Sequence, residues 1–275
     1  MAGELPFADS LADADYDEAN EMLSYIAADT NTLTYDANGN LETRTDACGT
    51  TTYTWDARNR LTAIDGYHDD CTALTASFSY DALNRRIEKT VDGVTSQYVY
   101  DGWDIVQETT DGVVTNYART LNIDEPLALE RSDGTVRYYK ADALGSIIAL
   151  LDADGVVTTS YAYDAFGNVA ISGSDENPFQ YTGRENDGTG LYYYRARYYS
   201  PEMRKFISED PIGLAGGINF YAYVQNNPVN WIDPYGLKGV LIPLRKIMAK
   251  IPAGDIAIGV FEKITSLDRK TILNQ

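Results

Sequence analysis

The stretch YDANGNLETRTDACGTTTYTWDARNRLT (Tyr35–Thr62) contains the same sentence twice. An aromatic residue and an aspartate open each copy, small or amide residues follow, and a β-favouring run comes next. The two openings, Tyr35-Asp36 and Trp55-Asp56, stand 20 residues apart. Asp followed by Asn or Gly suits a tight turn, because the Asp side chain can bond nearby backbone amides and Asn or Gly accepts positive φ. Runs rich in Thr, Tyr and Val between such turns read as strands.

The pattern extends in both directions. YDEANEML begins at Tyr16, YDALNRRI at Tyr80, YDGWDIVQ at Tyr100, a looser YKADALGSII at Tyr139, and YDAFGNVA at Tyr163. The gap between Tyr100 and Tyr139 is close to two units, so one unit there has lost its signature. A second register interleaves: Asp-Gly recurs at Asp92-Gly93, Asp111-Gly112, Asp133-Gly134 and Asp154-Gly155. Asp-Gly between β-branched runs is a hairpin signal, since a type I′ turn needs positive φ at both central residues. Each repeat thus supplies about two strands, and the chain reads as all-β: a long antiparallel meander. One repeat cannot bury its own face, so stacked repeats must share a continuous curved sheet. The 22 tyrosines are expected in cross-strand ladders with their hydroxyls in water, carbohydrate stacking being the lesser alternative.

Charge divides the chain. The 275 residues carry 22 Lys and Arg against 41 Asp and Glu, a formal charge of −19. Residues 238–275 hold seven basic and three acidic residues, so the tail is net +4 and the body, with 15 basic against 38 acidic residues, is net −23. Such a body repels phosphate backbones, which argues against nucleic acid as its partner. No apolar run approaches a bilayer span, and the acidic opening MAGELPFADSLADADYDEANEML lacks the order of a secretory signal. Cys48 and Cys71 make no disulfide framework; a bridge is open to them, but two reduced thiols are expected. His68, the single histidine, lies in a polar stretch that reads as an exposed loop. Its spacing from the cysteines matches no common zinc site, and neither metal nor cofactor is expected.

With the aromatic-Asp units stands a further block, YTGRENDGTGLYYYRARYYSPEMRKFISEDPIGLAGGINFYAYVQNNPVNWIDPYGL, ending at Leu237. On these residues the sequence resembles the YD-repeat, or rearrangement-hotspot (Rhs), family over about Tyr16 to Leu237, with the final block similar to the family's core-associated region. The resemblance implies YD repeats (1–170) spiralling into a partial or complete shell, a core-associated region (171–237) that plugs one end, and a variable tip (238–275). It implies a bacterial protein, delivered by a dedicated secretion apparatus or held at the cell surface, with delivery and immunity proteins as partners. It also implies cleavage of the chain by itself after Asp-Pro-X-Gly-Leu, here between Leu237 and Lys238, releasing the tip.

That cleavage is of the aspartyl type in the family, and the matching carboxylates are Asp210 in EDPIG and Asp233 in IDPYG. Two carboxyl groups in contact share one proton, which provides a base and an acid without histidine, thiol or metal. The turn reading stands beside it: Pro211 and Gly213, like Pro234 and Gly236, simply suit a bend. Where the family has Gly-Arg-Phe, this chain has Arg204-Lys205-Phe206, so Arg204 and Lys205 are the candidate helpers. Gly213, Gly216 and Gly217 are expected to allow close packing around the pair. In the tail, Leu244, Ile247, Met248 and Ile251 share one helical face after Pro243, and a second helix is expected near Ile256–Ile264. The tail reads as cargo held within the acidic wall or, once free, as a membrane-active basic helix. The competing function is a non-catalytic surface module that binds glycan or a partner protein. The chain also reads as an open sheet, an oligomer or the end of a larger protein.

Overall fold

The structure, a computed structural model, describes residues 11–241. The tail helices expected over 243–264 lie outside these residues. Sixteen antiparallel strands pair in strict chain order, each with its immediate neighbours. They begin with β1 (Ala12–Tyr16), β2 (Met22–Ile26), β3 (Thr30–Tyr35), β4 (Leu41–Thr45), β5 (Thr50–Trp55) and β6 (Leu61–Tyr67). β7 (Ala73–Tyr80), β8 (Arg86–Val91), β9 (Val94–Asp101), β10 (Asp104–Thr110) and β11 (Val113–Arg119) continue the meander. β12 (Pro126–Arg131), β13 (Val136–Ala141), β14 (Ile147–Leu151), β15 (Val157–Tyr163) and β16 (Val169–Gly173) complete it.

In most repeats the aspartate builds the turn. Asp36 Oδ1 accepts the amides of Asn38 at 2.8 Å and Asn40 at 3.0 Å, while Gly39 takes φ +71°. Asp56, Asp81, Asp142, Asp152 and Asp164 repeat the arrangement on the second and fourth residues after themselves. The aromatic residue does a different job: it ties one repeat to the one before. Trp55 Nε1 donates to the Leu41 carbonyl, Tyr80 OH to Leu61, Tyr100 OH to Arg86 and Tyr163 OH to Ile147, each at 2.7 Å. Every acceptor lies five residues after the preceding turn aspartate. The unit without a signature is at Arg119, whose Nε donates to the Ile105 carbonyl at 2.6 Å in the aromatic's place. The unit aligned on Tyr139 turns instead at Ala141-Asp142.

Two of the four Asp-Gly pairs form two-residue hairpins with positive φ at both positions, Asp92-Gly93 (49° and 84°) and Asp111-Gly112 (48° and 82°). At Asp133-Gly134 and Asp154-Gly155 only the glycine is left-handed, and the loops are longer.

Alternate residues of the strands are buried, as at Asn31, Leu33, Thr51, Tyr53, Leu74, Ala76 and Phe78. One face of the sheet therefore meets water, and residues after Gly173 cover the other. This segment forms β17 (Glu185–Asn186), β18 (Tyr192–Tyr194), β19 (Arg197–Ser200) and β20 (Lys205–Phe206) in a four-stranded sheet. Leu191, Tyr193, Tyr198, Met203 and Ile207 join the core of the early strands, and Phe179 that of the later ones. Tyr221 OH reaches the Gly39 carbonyl at 2.8 Å, and Tyr192 OH reaches Gly167 at 3.1 Å. Turns from both ends of the sheet thus meet a single segment, so the sheet curls around it. Full burial of such side chains is worth roughly 1.5–3 kcal/mol each.

Two expectations are overturned. Many tyrosine hydroxyls are not in water: Tyr181, Tyr192, Tyr194, Tyr199 and Tyr223 are buried, and Tyr181 and Tyr199 donate to turn carbonyls at Ala165 and Phe166. Their hydroxyls satisfy backbone acceptors that the packing would otherwise strand. Cys48 and Cys71 are not reduced but joined in a disulfide. They stand in alternate turns on one edge of the sheet, β4–β5 and β6–β7, and two strands per repeat bring these side by side, with Cα atoms 5.0 Å apart. His68 begins the second turn, half-buried, its ring nitrogen 2.8 Å from Asp92 Oδ2.

Candidate active site

After β20 the chain turns at Asp210-Pro211, loops through Gly213–Gly217 and returns, with the Asp210 amide on the Phe220 carbonyl at 3.1 Å. It then enters β21 (Trp231–Ile232), turns at Asp233-Pro234-Tyr235-Gly236-Leu237-Lys238, and leaves as β22 (Val240–Leu241), paired with β21. The bond between Leu237 and Lys238 therefore lies in a hairpin loop.

The second aspartate holds that loop. Asp233, 2% exposed, accepts the Leu237 amide at 3.0 Å and the Lys238 amide at 3.2 Å on the same oxygen, Oδ1. Its carboxylate therefore touches the nitrogen of the Leu237–Lys238 peptide. Asp210 approaches the carbonyl side of that peptide. A Cβ on Gly216 would lie 2.1 Å from Asp210 Oδ2 and 3.1 Å from the Leu237 carbonyl oxygen, so both oxygens border the space left by one hydrogen. Only glycine fits there. Gly213 and Gly217 serve by conformation instead, with φ +55° and +148° and open space beside them. Gly236, at φ +66°, lies against the Tyr194 carbonyl, which would be 2.3 Å from any Cβ.

Between the carboxyl groups sits a residue that sequence reasoning missed. Arg197, buried in β19, donates from Nη2 to Asp210 Oδ2 at 3.1 Å and lies 3.7 Å from Asp233 Oδ2. Its Nε holds the Gly236 carbonyl at 2.6 Å, and its Nη1 holds Phe220 at 2.7 Å. The guanidinium stacks 3.7 Å from the Phe206 ring centroid. The first arginines after the YYY run, in YYYRARYY, are the sequence signal that could have found it.

The electrostatics follow from one cation serving two acids. Burial raises both carboxyl groups above the usual range, Arg197 opposes the rise, and for Asp233 the amides of Leu237 and Lys238 oppose it while Asp210 adds to it. Burial pushes Arg197 itself down to about 10, against the pull of Asp210 and then Asp233. With one positive charge between two acids, retention of a single proton leaves the cluster neutral.

The two expected helpers are elsewhere. Arg204, at φ +58°, stacks 4.9 Å from the Phe166 ring centroid. Lys205 points to the first turn of the sheet, with Nζ 3.3 Å from the Asn20 carbonyl and 3.9 Å from the Tyr16 ring centroid. Burial lowers its amine to about 8, with Asp17 opposing.

The RHS Repeat family model matches residues 35–67. The tRNA nuclease WapA of Bacillus subtilis strain 168 is 38% identical over 229 residues, which cover 79% of this chain and 10% of that protein. The toxin protein Tse5 of Pseudomonas aeruginosa is 32% identical, with 78% of this chain and 19% of Tse5 covered. The chain thus spans a tenth to a fifth of the length of these relatives. Among solved structures, a crystal structure of TcdB2-TccC3 superposes with a TM-score of 0.53 at 20% identity, covering 82% of this chain and 16% of that one. That likeness concerns the fold.

Proposed function

We propose that this chain, which belongs to the YD-repeat (rearrangement-hotspot, Rhs) family, is a wall-and-closure unit of a toxin-type shell protein that cuts itself after Leu237. The observation that carries the reading is the seat of one peptide between two acids: Asp233 on the Lys238 amide, and Asp210 beside the Leu237 carbonyl.

The chemistry uses one proton and one water. Ionised Asp233 takes a proton from a water that attacks the Leu237 carbonyl carbon, while protonated Asp210 gives its proton to the carbonyl oxygen. Collapse returns that proton to Asp210 as the C–N bond breaks, and Asp233 passes its proton to the departing Lys238 nitrogen. The products are a Leu237 carboxyl group and a Lys238 amine. Arg197 keeps the second acid from holding a proton of its own. Because the bond belongs to the same chain, folding replaces substrate binding and one turnover suffices.

The freed piece is residues 238–275, basic where the wall is acidic. Held cargo is the favoured role for it, with action on an anionic membrane the other. Delivery and immunity proteins are the partners that toxin relatives lead us to propose. Intact-mass measurement of the purified chain tests the reading. Fragments of residues 1–237 and 238–275 are expected at neutral pH, and Asp210→Asn or Asp233→Asn should leave one intact mass. An uncut wild-type chain after prolonged incubation would favour a non-catalytic binding module. Cuts before Pro211 or Pro234 in acid are chemical scission and give different masses.

A further inference from the structure

The loop that carries the Leu237–Lys238 bond is gripped from two sides. Arg197 takes the Gly236 carbonyl on the side of the acids. On the other side, Arg195 donates from Nη1 to the Pro234 carbonyl. Arg195 is 8% exposed and left-handed, at φ +60°, in the tight turn between β18 and β19. It touches neither Asp210 nor Asp233. Its other bonds all go to the wall: Asp124 at 2.7 and 3.1 Å, Asp104 at 3.2 Å, and the Trp103 carbonyl at 3.2 Å from both Nε and Nη2. Trp103 and Asp104 close the β9–β10 turn, and Asp124 lies in the β11–β12 turn. Trp103 also meets the Tyr235 ring edge-on at 6.3 Å, and the Arg195 guanidinium lies 5.6 Å from the same ring.

We infer that Arg195 is a positioning residue through which the middle turns of the wall hold the Asp233–Leu237 loop in its cleavable shape, so that cutting waits until the wall has closed. The inference rests on the proposed self-cleavage. Before β9–β12 have folded, the Arg195 fork lacks its three wall partners, and the Pro234 carbonyl is held by a side chain that is itself unheld. The two amides on Asp233 Oδ1 then lose their fixed geometry. Once the wall closes, a buried planar fork joins four acceptor atoms of the wall to the Pro234 peptide. Lysine in its place offers a single point of attachment and cannot span the set.

Two variants and two readouts test it in the full chain. Arg195→Lys alters the fork itself, and Asp104→Asn weakens its wall end together with the contacts of Asp104 to Arg119 and the Asp124 amide. Each should slow the appearance of the 238–275 fragment by about 10- to 100-fold, as expected when a reacting group is displaced by about an ångström. The pH profile should be unchanged, because the acids and Arg197 are untouched. The second readout needs no cleavage: in an Asp210→Asn background, hydrogen exchange at the Leu237 and Lys238 amides should quicken on adding Arg195→Lys. Thermal melts establish that each variant is folded at the assay temperature. Folded variants that cut at the wild-type rate, or that leave both amides equally protected, overturn the inference. A wild-type chain that never cuts refutes the proposed function instead, and the exchange experiment still decides the role of Arg195.

Discussion

Replacing Arg86 by methionine should be among the costliest single changes in the wall. Arg86 opens β8, is fully buried, and crosses from the sheet to the covering segment. Its guanidinium donates to both oxygens of Asp187, one of them at 2.8 Å, and to Glu185 at 2.9 Å. It also lies 4.2 Å from the Tyr193 ring centroid. Breaking a buried ion pair costs about 3–5 kcal/mol because the orphaned charge stays buried. Here Lys89 remains at 3.1 Å from Asp187, and Arg184 at 3.1 Å from Glu185, so the lower end, about 3 kcal/mol, is expected. For a domain of this size that is a fall in Tm of roughly 6–12 °C.

The pH dependence provides the sharper check. Against the cost of burial, Arg86 and then Lys89 hold the Asp187 carboxyl below the usual carboxylate range. A depressed folded value means that the stabilisation is present above the unfolded pKa, about 3.9, and is lost as pH falls through the folded value. The gap between wild type and Arg86→Met should therefore be full at pH 7 and shrink below about pH 4. Urea unfolding at the two pH values measures it, and Arg86→Met with Asp187→Asn should recover much of the loss at neutral pH. A gap under 1 kcal/mol, or one that does not change with pH, would refute the claim that the ion cluster pins the covering segment to the sheet.

Three further outcomes are expected. Both carboxyl groups of the site are raised by burial, so their contribution to stability is present below the usual carboxylate range and is lost as pH rises through the raised values. Asp233→Asn should accordingly melt higher than the uncut wild type at pH 8 and equally at pH 4, read by calorimetry on a background blocked at Leu237. Reducing the Cys48–Cys71 disulfide, which closes 23 residues, should cost about 3 kcal/mol in the chain-entropy description, read from urea melts with and without reductant. Arg204 occupies a left-handed position that costs an L-residue roughly 1–2 kcal/mol, so Arg204→Gly should raise stability by about 1 kcal/mol after loss of its stacking on Phe166.

The sheet was legible because its punctuation is local. Asp36, Asp56, Asp81 and Asp164 each bond amides within four residues, so the turn chemistry is printed in consecutive letters. The same locality explains the misreadings. Tyr139 looked like a repeat opening, yet Ala141 precedes the turn aspartate, and Arg119 replaces an aromatic because what the fold needs there is a donor to the Ile105 carbonyl rather than a ring. The expectation of wet tyrosines failed because no local rule reveals that a later segment will cover the face. In the candidate site, Asp210 and Asp233 were chosen from motifs. Arg197, Arg195 and the fit of Gly216 depend on a return of the chain that spacing does not disclose, and the pairing of Cys48 with Cys71 depends on which turns share an edge.

The hydrogen bond from a repeat's ring, or from Arg119 in its place, to the carbonyl of its predecessor has a consequence for how such walls grow. This joint refers only to the preceding repeat and carries no record of its distance from the end of the sheet. In-frame duplication or loss of one twenty-residue unit would lengthen or shorten the sheet while repeating the same joint between neighbouring repeats. The length of the sheet is thus set by copy number, and the contacts of Arg86, Gly39 and Asp104 with the covering segment set how far that number can change.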